Sequence, residues 1–396
     1  MIAEIKFKNI LSFRDEAVFS FEADRSTELE SYHVVEVAPD VRLLKLGVIY
    51  GANASGKSNF VRAYNYIKEL LTKVQQTKSD KIEVKPFLLD DNSRVEDSEF
   101  SITFYAPLNG AKFTKFVYTL SLYENCIESE SLAYYTSQQP TSIFSRSTED
   151  GISKITFGNK IKIANIAKEE ISIKCLPNMS VFAAYMQVNT KIAELECATN
   201  YFSKQEVQTS EVITLYGWIG VDSIKESSKR DYVLKYLKAA DFNISNIGYD
   251  DKDNVTFQHK TKDADGKDHT YDLPVECESR GTIRTLDIAK YVQDAVANNS
   301  FIAIDEIESS LHPKLVEHII ETFLQESTHA QLLVTTHYDG LLAQDDLLRK
   351  DNIWFTEKGD DGASVLYPLT DFKALNRISS LQKAYKFGKF GAIPNI

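Results

Sequence analysis

The chain has 396 residues, 43% of them hydrophobic, and its 57 acidic and 45 basic side chains leave a formal charge of −12. That composition excludes a disordered or fibrous polymer and a surface that is basic throughout; nowhere do about 18 uncharged apolar residues run together, so no membrane span or membrane partner is expected. Cys126, Cys175, Cys197 and Cys277 are far apart and form no Cys/His metal spacing, which predicts reduced, mostly buried thiols. The opening MIAEIKFKNILSF alternates apolar and polar positions without signal-peptide architecture, so the expected location is cytoplasmic.

In chain order, apolar residues at Ile2, Ile5, Phe7 and Ile10 predict a strand, and Ala17 to Phe21 a second one. The run Leu43 to Tyr50 is apolar except for Lys45, which suits a strand buried on both faces; it leads into a glycine-rich turn and a helix over Lys57 to Leu71. EFSITFYA and KFVYTLSLYE, parted by the turn-like Pro107 to Gly110, predict an antiparallel sheet within residues 99–136. KIAELECATNYF and RDYVLKYLKAA have helical spacing, so residues 171–240 are expected to be a short helical insertion. After Phe242, NISNIGYDDKDNVTFQHK and KDHTYDLPVE predict strands. A helix over Thr282 to Ala297, a strand Phe301 to Ile304, a helix Pro313 to Gln325, a strand Gln331 to Thr335 and a short helix in the tail follow. The fold expected is α/β, with three units at 1–170, 171–240 and 241–396.

Gly51-Ala-Asn-Ala-Ser-Gly56-Lys57-Ser58 satisfies G-x-x-x-x-G-K-[ST] between a buried strand and a helix, the context that motif needs. Gly51, Asn53, Ala54, Ser55, Gly56 and Asn59 are expected to surround the phosphates of ATP, Lys57 to reach the β- and γ-phosphates, and Ser58 to ligate Mg²⁺. The strand Phe301 to Ile304 ends in two carboxylates. Asp305 is expected to hold Mg²⁺ through water, and Glu306 to orient and deprotonate the attacking water. The next strand ends at His337, placed to hydrogen-bond the γ-phosphate. Upstream, Ser279 is expected to cap a helix, and with Gly281 it offers a second anion site.

The order of these pieces resembles the ABC-type ATPase heads: P-loop, large insertion, signature, Walker B strand, a D-loop-like Ser309-Ser310-Leu311-His312 and a switch histidine. More narrowly it is similar to the AAA-type, chromosome-maintenance-like ATPases of bacterial anti-phage defence, the RloA/AbiL-like group. IKFKNILSFRDEAVFSF, GANASGKSN, ESRGT, DEIESSLHP, TTH and KFGAIPNI carry this likeness; it covers both ends of the chain, while the middle third matches only in character. The signature Glu278 to Thr282 stands where most such heads have LSGGQ.

The resemblance implies a P-loop sheet plus an antiparallel β subdomain. It also implies a head-to-head homodimer or higher homo-oligomer, in which Ser279, Arg280 and Gly281 act in trans on the partner's ATP. Ser12 and Arg14 would lie near the nucleotide, and Gln187 would serve as Q-loop glutamine. No nuclease pattern is present, so the implied role is sensor and regulator of a separate effector, a Toprim-type nuclease of the RloB kind, in antiviral defence by abortive infection. A RecF-like DNA-binding repair ATPase and an ATP-dependent assembly scaffold with slow turnover are the alternatives. Lys225, Lys229, Arg230, Lys235 and Lys238 read as a solvated helix face rather than a nucleic-acid patch. The tail from Phe387 to Ile396 is apolar enough to pack on the head or to dock an effector.

Overall fold

The strand Leu46–Gly51 is buried at every position, a burial that a central place in a largely parallel sheet provides. It pairs in parallel with Gln331–Thr336 on one side and Ile353–Lys358 on the other. The six-stranded sheet runs Glu206–Gln208, Phe301–Ile304, Gln331–Thr336, Leu46–Gly51, Ile353–Lys358, Ser364–Pro368, and only the last strand is antiparallel. The computed structural model describes residues 1–394 apart from 83, 109, 111, 209–225, 240–242 and 253.

The predicted run Leu43 to Tyr50 breaks at its one polar residue. Val41–Leu44 turns away to pair with Val34–Ala38, and Lys45 buries its ammonium against the carbonyls of Leu324 (3.3 Å) and Ser327 (2.6 Å). Those carbonyls close the helix Pro313–Glu326, at the end where the peptide dipoles favour a cation.

A second, antiparallel sheet of seven strands has the order Ile152–Phe157, Thr141–Glu149, Cys126–Tyr135, Lys112–Tyr123, Ser98–Leu108, Ile2–Lys8, Ala17–Ser20. Together the two sheets give the expected P-loop sheet with an antiparallel β subdomain. Between them lie the helices Lys57–Thr72, Val181–Tyr185 and Ala193–Ser203. Phe60, Tyr64 and Ile67 of the first meet Phe7, Phe104 and Phe301 in one core. Ile171, Phe182, Leu195 and Phe202 are fully buried in that same core. The first part of the 171–240 segment is therefore packed inside the head, because its apolar residues face the antiparallel sheet.

Lys225 falls outside the described residues. The helix Ser227–Ala239 packs on Arg280–Asn298, and its Lys229 and Lys235 pair with Asp294 (3.1 Å) and Glu326 (2.6 Å). A second core, with Val48, Ile302, Val334, Val292 and Phe323, covers the other face of the six-stranded sheet. Ile244–Tyr249, Val255–Lys262 and Asp268–Pro274 form a small antiparallel sheet before the signature. All four cysteines are free, but only Cys175 is buried and Cys277 is exposed, a correction to the mostly buried thiols expected. Among the described residues no helix is long and apolar enough to cross a membrane.

One ion pair inside the antiparallel subdomain is wholly removed from water. Arg146 Nη1 lies 3.2 Å from Glu130 Oε2, and the guanidinium also donates to the carbonyls of Leu176, Pro177 and Met179. Burial pushes the Glu130 carboxyl upward, with Arg146 opposing. Arg146→Met leaves that carboxylate without its counter-charge and is expected to cost about 3–5 kcal/mol in urea unfolding. Lys154→Met, which breaks the exposed pair with Glu149, should stay within about 0.5 kcal/mol of the parent. Equal effects of the two variants would overturn the assignment.

Candidate nucleotide-binding site

Two glycines shape the loop after Leu46–Gly51. A Cβ on Gly51 would lie 2.6 Å from the Thr356 carbonyl oxygen, and one on Gly56 would lie 2.8 Å from Ser364 Cβ. Gly56 also has φ +121°, and Ala54 between them has φ 62°. Ser55 Oγ, 2.6 Å from Thr356 Oγ1, fastens the loop to the neighbouring strand. The helix Lys57–Thr72 starts without a side-chain cap, so its first amides keep their capacity for an anion. Asn53 and Ala54 at the tip are exposed.

Asn59 Nδ2 donates to Ser12 Oγ (2.8 Å), which also sits 2.8 Å from Ser364 Oγ, so Ser12 lies against the first turn of that helix. Arg14 is engaged elsewhere, by Asp361 (2.8 Å) and Asp15 (2.9 Å) at the surface. Gln187 caps a different helix, donating to the Ala183 carbonyl (3.4 Å). The glutamine beside the carboxylate strand is Gln208: it pairs with Ile304, and its carbonyl accepts the Asp305 N–H (2.9 Å).

One hydroxyl organises both predicted carboxylates. Thr335 Oγ1 donates to Asp305 Oδ1 (2.6 Å) and accepts the Glu306 N–H (2.8 Å). Glu306 has φ 48°, a left-handed conformation that a side chain adopts only when its surroundings enforce it; its carboxylate stays half-exposed while Asp305 is buried. Lys57 Nζ, itself buried, donates to the carbonyls of Gly51 (2.9 Å) and Ala52 (3.1 Å) and lies 3.4 Å from His337 Nδ1. His337 Nε2 is 4.0 Å from Glu306 Oε1.

Burial lowers the Lys57 ammonium to about 8, with Asp305, Glu306 and Glu308 opposing, and burial followed by the Lys57 charge lowers His337. With Nδ1 facing an ammonium, the neutral ring keeps its proton on Nε2, on the side of Glu306.

Two participants escaped the sequence reading. Glu308 accepts from Thr336 Oγ1 (2.8 Å) and from the His337 N–H (2.5 Å), fixing the histidine. Its signal was the third carboxylate in Asp305-Glu306-Ile307-Glu308. Arg284, buried on the helix after the signature, donates to the Asp305 carbonyl (3.3 Å); burial lowers its pKa, opposed by Asp287 and then Asp305. A charged residue on an otherwise apolar helix face was the available clue.

The signature stands apart from this cluster. Ser279 caps Arg280–Asn298 by accepting the Thr282 N–H (3.0 Å), and a Cβ on Gly281 would meet the Ser310 carbonyl oxygen at 3.0 Å. Glu278 Oε1 is 2.6 Å from His259 Nε2 of the small sheet. Ser279 and Arg280 are exposed. The glycine cradle, the uncapped helix start and the buried lysine fit a triphosphate, and the half-buried Ser58 in the first turn of that helix and the buried Asp305 carboxylate are oxygen donors of the kind a divalent cation takes.

A glycine loop between a buried parallel strand and a helix, facing acidic residues on the next strand but one, defines a P-loop nucleotide-binding fold. Residues 223–343, which take in the signature, both carboxylates and His337, match the family model described as "AAA domain, putative AbiEii toxin, Type IV TA system". No curated protein matches the chain. Among solved structures it is similar to the SMC head domain from Thermotoga maritima, at 13% identity over 93% of this chain and 98% of that one, with TM-score 0.40. A Pyrococcus furiosus Smc head domain with an extended coiled coil, bound to the C-terminal domain of ScpA, gives 14% identity over 98% of each chain and TM-score 0.45. The Smc head domain with coiled coil and joint from Pyrococcus yayanosii gives 12% identity over 98% and 99%, with TM-score 0.45.

The depressed Lys57 sets a pH signature. Between about 8 and the ordinary 10.5 the unfolded chain binds a proton that the folded chain has released, so rising pH removes a penalty on folding. Relative to Lys57→Met, the parent is expected to gain up to about 3 kcal/mol of stability across that window, read by urea unfolding at each pH. A constant difference between the two proteins would refute it.

Proposed function

We propose that the chain is an ABC-type ATPase that dimerises head to head, binds ATP between the loop of one protomer and the signature of its partner, and hydrolyses it. What supports this reading is that Lys57, Asp305, Glu306 and His337 gather at the carboxyl ends of adjacent strands, while Ser279 and Arg280 stand exposed at the start of a different helix.

Lys57 leaves the Gly51 and Ala52 carbonyls for the β- and γ-phosphates. Ser58 and Asp305 are the residues that would hold Mg²⁺, which when bound neutralises charge on the phosphate oxygens. Glu306 accepts the proton of the attacking water. Thr335 keeps that carboxylate in register with Asp305, and His337, neutral and protonated at Nε2, donates toward the γ-phosphate. Ser279, through its hydroxyl and the amides at its helix start, completes the partner's site.

The dimer acts as sensor and regulator of a separate effector, a Toprim-like nuclease, in antiviral defence. The description of the matched family, which names a toxin system, points in the same direction.

Lys57→Ala is expected to lose ATP binding. Glu306→Gln should keep it, with turnover lowered on the order of 10²-fold or more and an ATP-trapped dimer on gel filtration. Ser279→Arg should be inactive alone. Mixed with Lys57→Ala it should recover about a quarter of parental turnover, because half the dimers then hold one intact composite site. A mixture as inactive as its components would place Ser279 in cis and sink the composite site.

A further inference from the structure

We propose that the C-terminal segment around Phe387 binds single-stranded nucleic acid, with lysines neutralising phosphates and the Phe387 ring stacking on a base. From Phe372 to Ile396 the chain carries Lys373, Arg377, Lys383, Lys386 and Lys389 and no acidic residue, within a protein of formal charge −12. All five cations are exposed. Lys383, Lys386 and Phe387 follow one another at i, i+3 and i+4 on the helix Leu381–Lys386 and its C-cap, so they share a face. Of the acidic groups beside this surface, Asp339 is paired with Lys386 (3.1 Å).

Phe387 is 87% exposed, although the chain on either side of it is anchored. Tyr385 stacks on Phe355 and donates to the Ala392 carbonyl (3.0 Å), Phe390 is buried on Phe355, and the Tyr367 hydroxyl donates to the Phe390 carbonyl (2.9 Å). A fixed backbone therefore holds one aromatic ring in water between two buried ones. The ring's face is thus open to solvent in a fixed position beside the exposed lysines. Cations flanking an exposed ring are the chemistry of a single-strand stacking platform. Lysine is depleted at protein–protein interfaces, which disfavours a protein occupant.

The same segment reaches the switch. The helix Leu381–Lys386 packs on the turn Asp339–Ala343, two residues beyond His337, and Gln382 Nε2 donates to Asp339 Oδ1 (3.2 Å). A phosphate drawing Lys386 from Asp339 would release that turn. This coupling rests on the ATPase reading; the binding itself does not.

The test is fluorescence anisotropy without ATP, using a labelled dT oligonucleotide of about 20 nucleotides, its duplex and a poly-glutamate peptide, from about 50 to 200 mM salt. The parent should bind the single strand with an affinity that falls steeply with salt. Lys383→Glu combined with Lys389→Glu should weaken binding at least about 10-fold, and Phe387→Ala about 5- to 100-fold for the single strand but not for the duplex. Both variants should melt at the parental temperature. Absence of binding at low salt, indifference to the charge reversals, or equal binding of single strand and duplex with no effect of Phe387→Ala would overturn the proposal. Poly-glutamate that binds as tightly and competes would overturn it in favour of an acidic protein partner. Binding that persists in Lys57→Ala would leave the inference standing even if the ATPase reading failed.

Discussion

The ammonium of Lys57 is withdrawn from water, and the polar architecture around it answers that single constraint. A buried cation is tolerated only where carbonyls and counter-charges replace its hydration. The loop supplies two carbonyls, and the neighbouring strands supply Asp305, Glu306 and Glu308. These carboxylates are held in turn by consecutive residues of one strand. Because successive side chains of a strand point to opposite faces, Thr335 reaches Asp305 and the Glu306 amide, while Thr336 reaches Glu308. Two neighbouring threonines thus serve two sides of one site.

A second buried cation, Arg284, donates to the Asp305 backbone carbonyl and feels the charge of the same carboxylates. It belongs to Arg280–Asn298, whose first turn carries the exposed signature. One helix therefore joins a surface residue, Ser279, to the backbone of Asp305. Gly281 adds a tie at the same end, since its approach to the Ser310 carbonyl leaves no room for a side chain without a shift.

The loop, the carboxylate strand and the strand before His337 were legible because each is a local pattern: a motif of fixed spacing, or an apolar run ending in polar residues. What was not legible depended on distant partners. Nothing near Lys45 announces the helix end that accepts its charge, so a break read as a continuous strand. The helical spacing of KIAELECATNYF was visible, but not that the antiparallel sheet would cover it. Gln187 and Gln208 are both glutamines in the middle third. Only the pairing of Glu206–Gln208 with Phe301–Ile304 tells them apart. Glu308 and Arg284 needed the fold to reveal what they face.

The pairing of Leu46–Gly51 has a temporal side. Both of its hydrogen-bonded neighbours come from beyond residue 330, so this wholly apolar strand emerges from the ribosome nearly 300 residues before anything can flank it. Contacts of such sequence separation form late, and an unpaired apolar strand is a hazard while it waits. The antiparallel subdomain, whose hairpins close locally, is complete in the nascent chain long before then. A still-tethered chain therefore carries the phosphate-loop sequence without the sheet that gives it shape until residues 331–358 have been made.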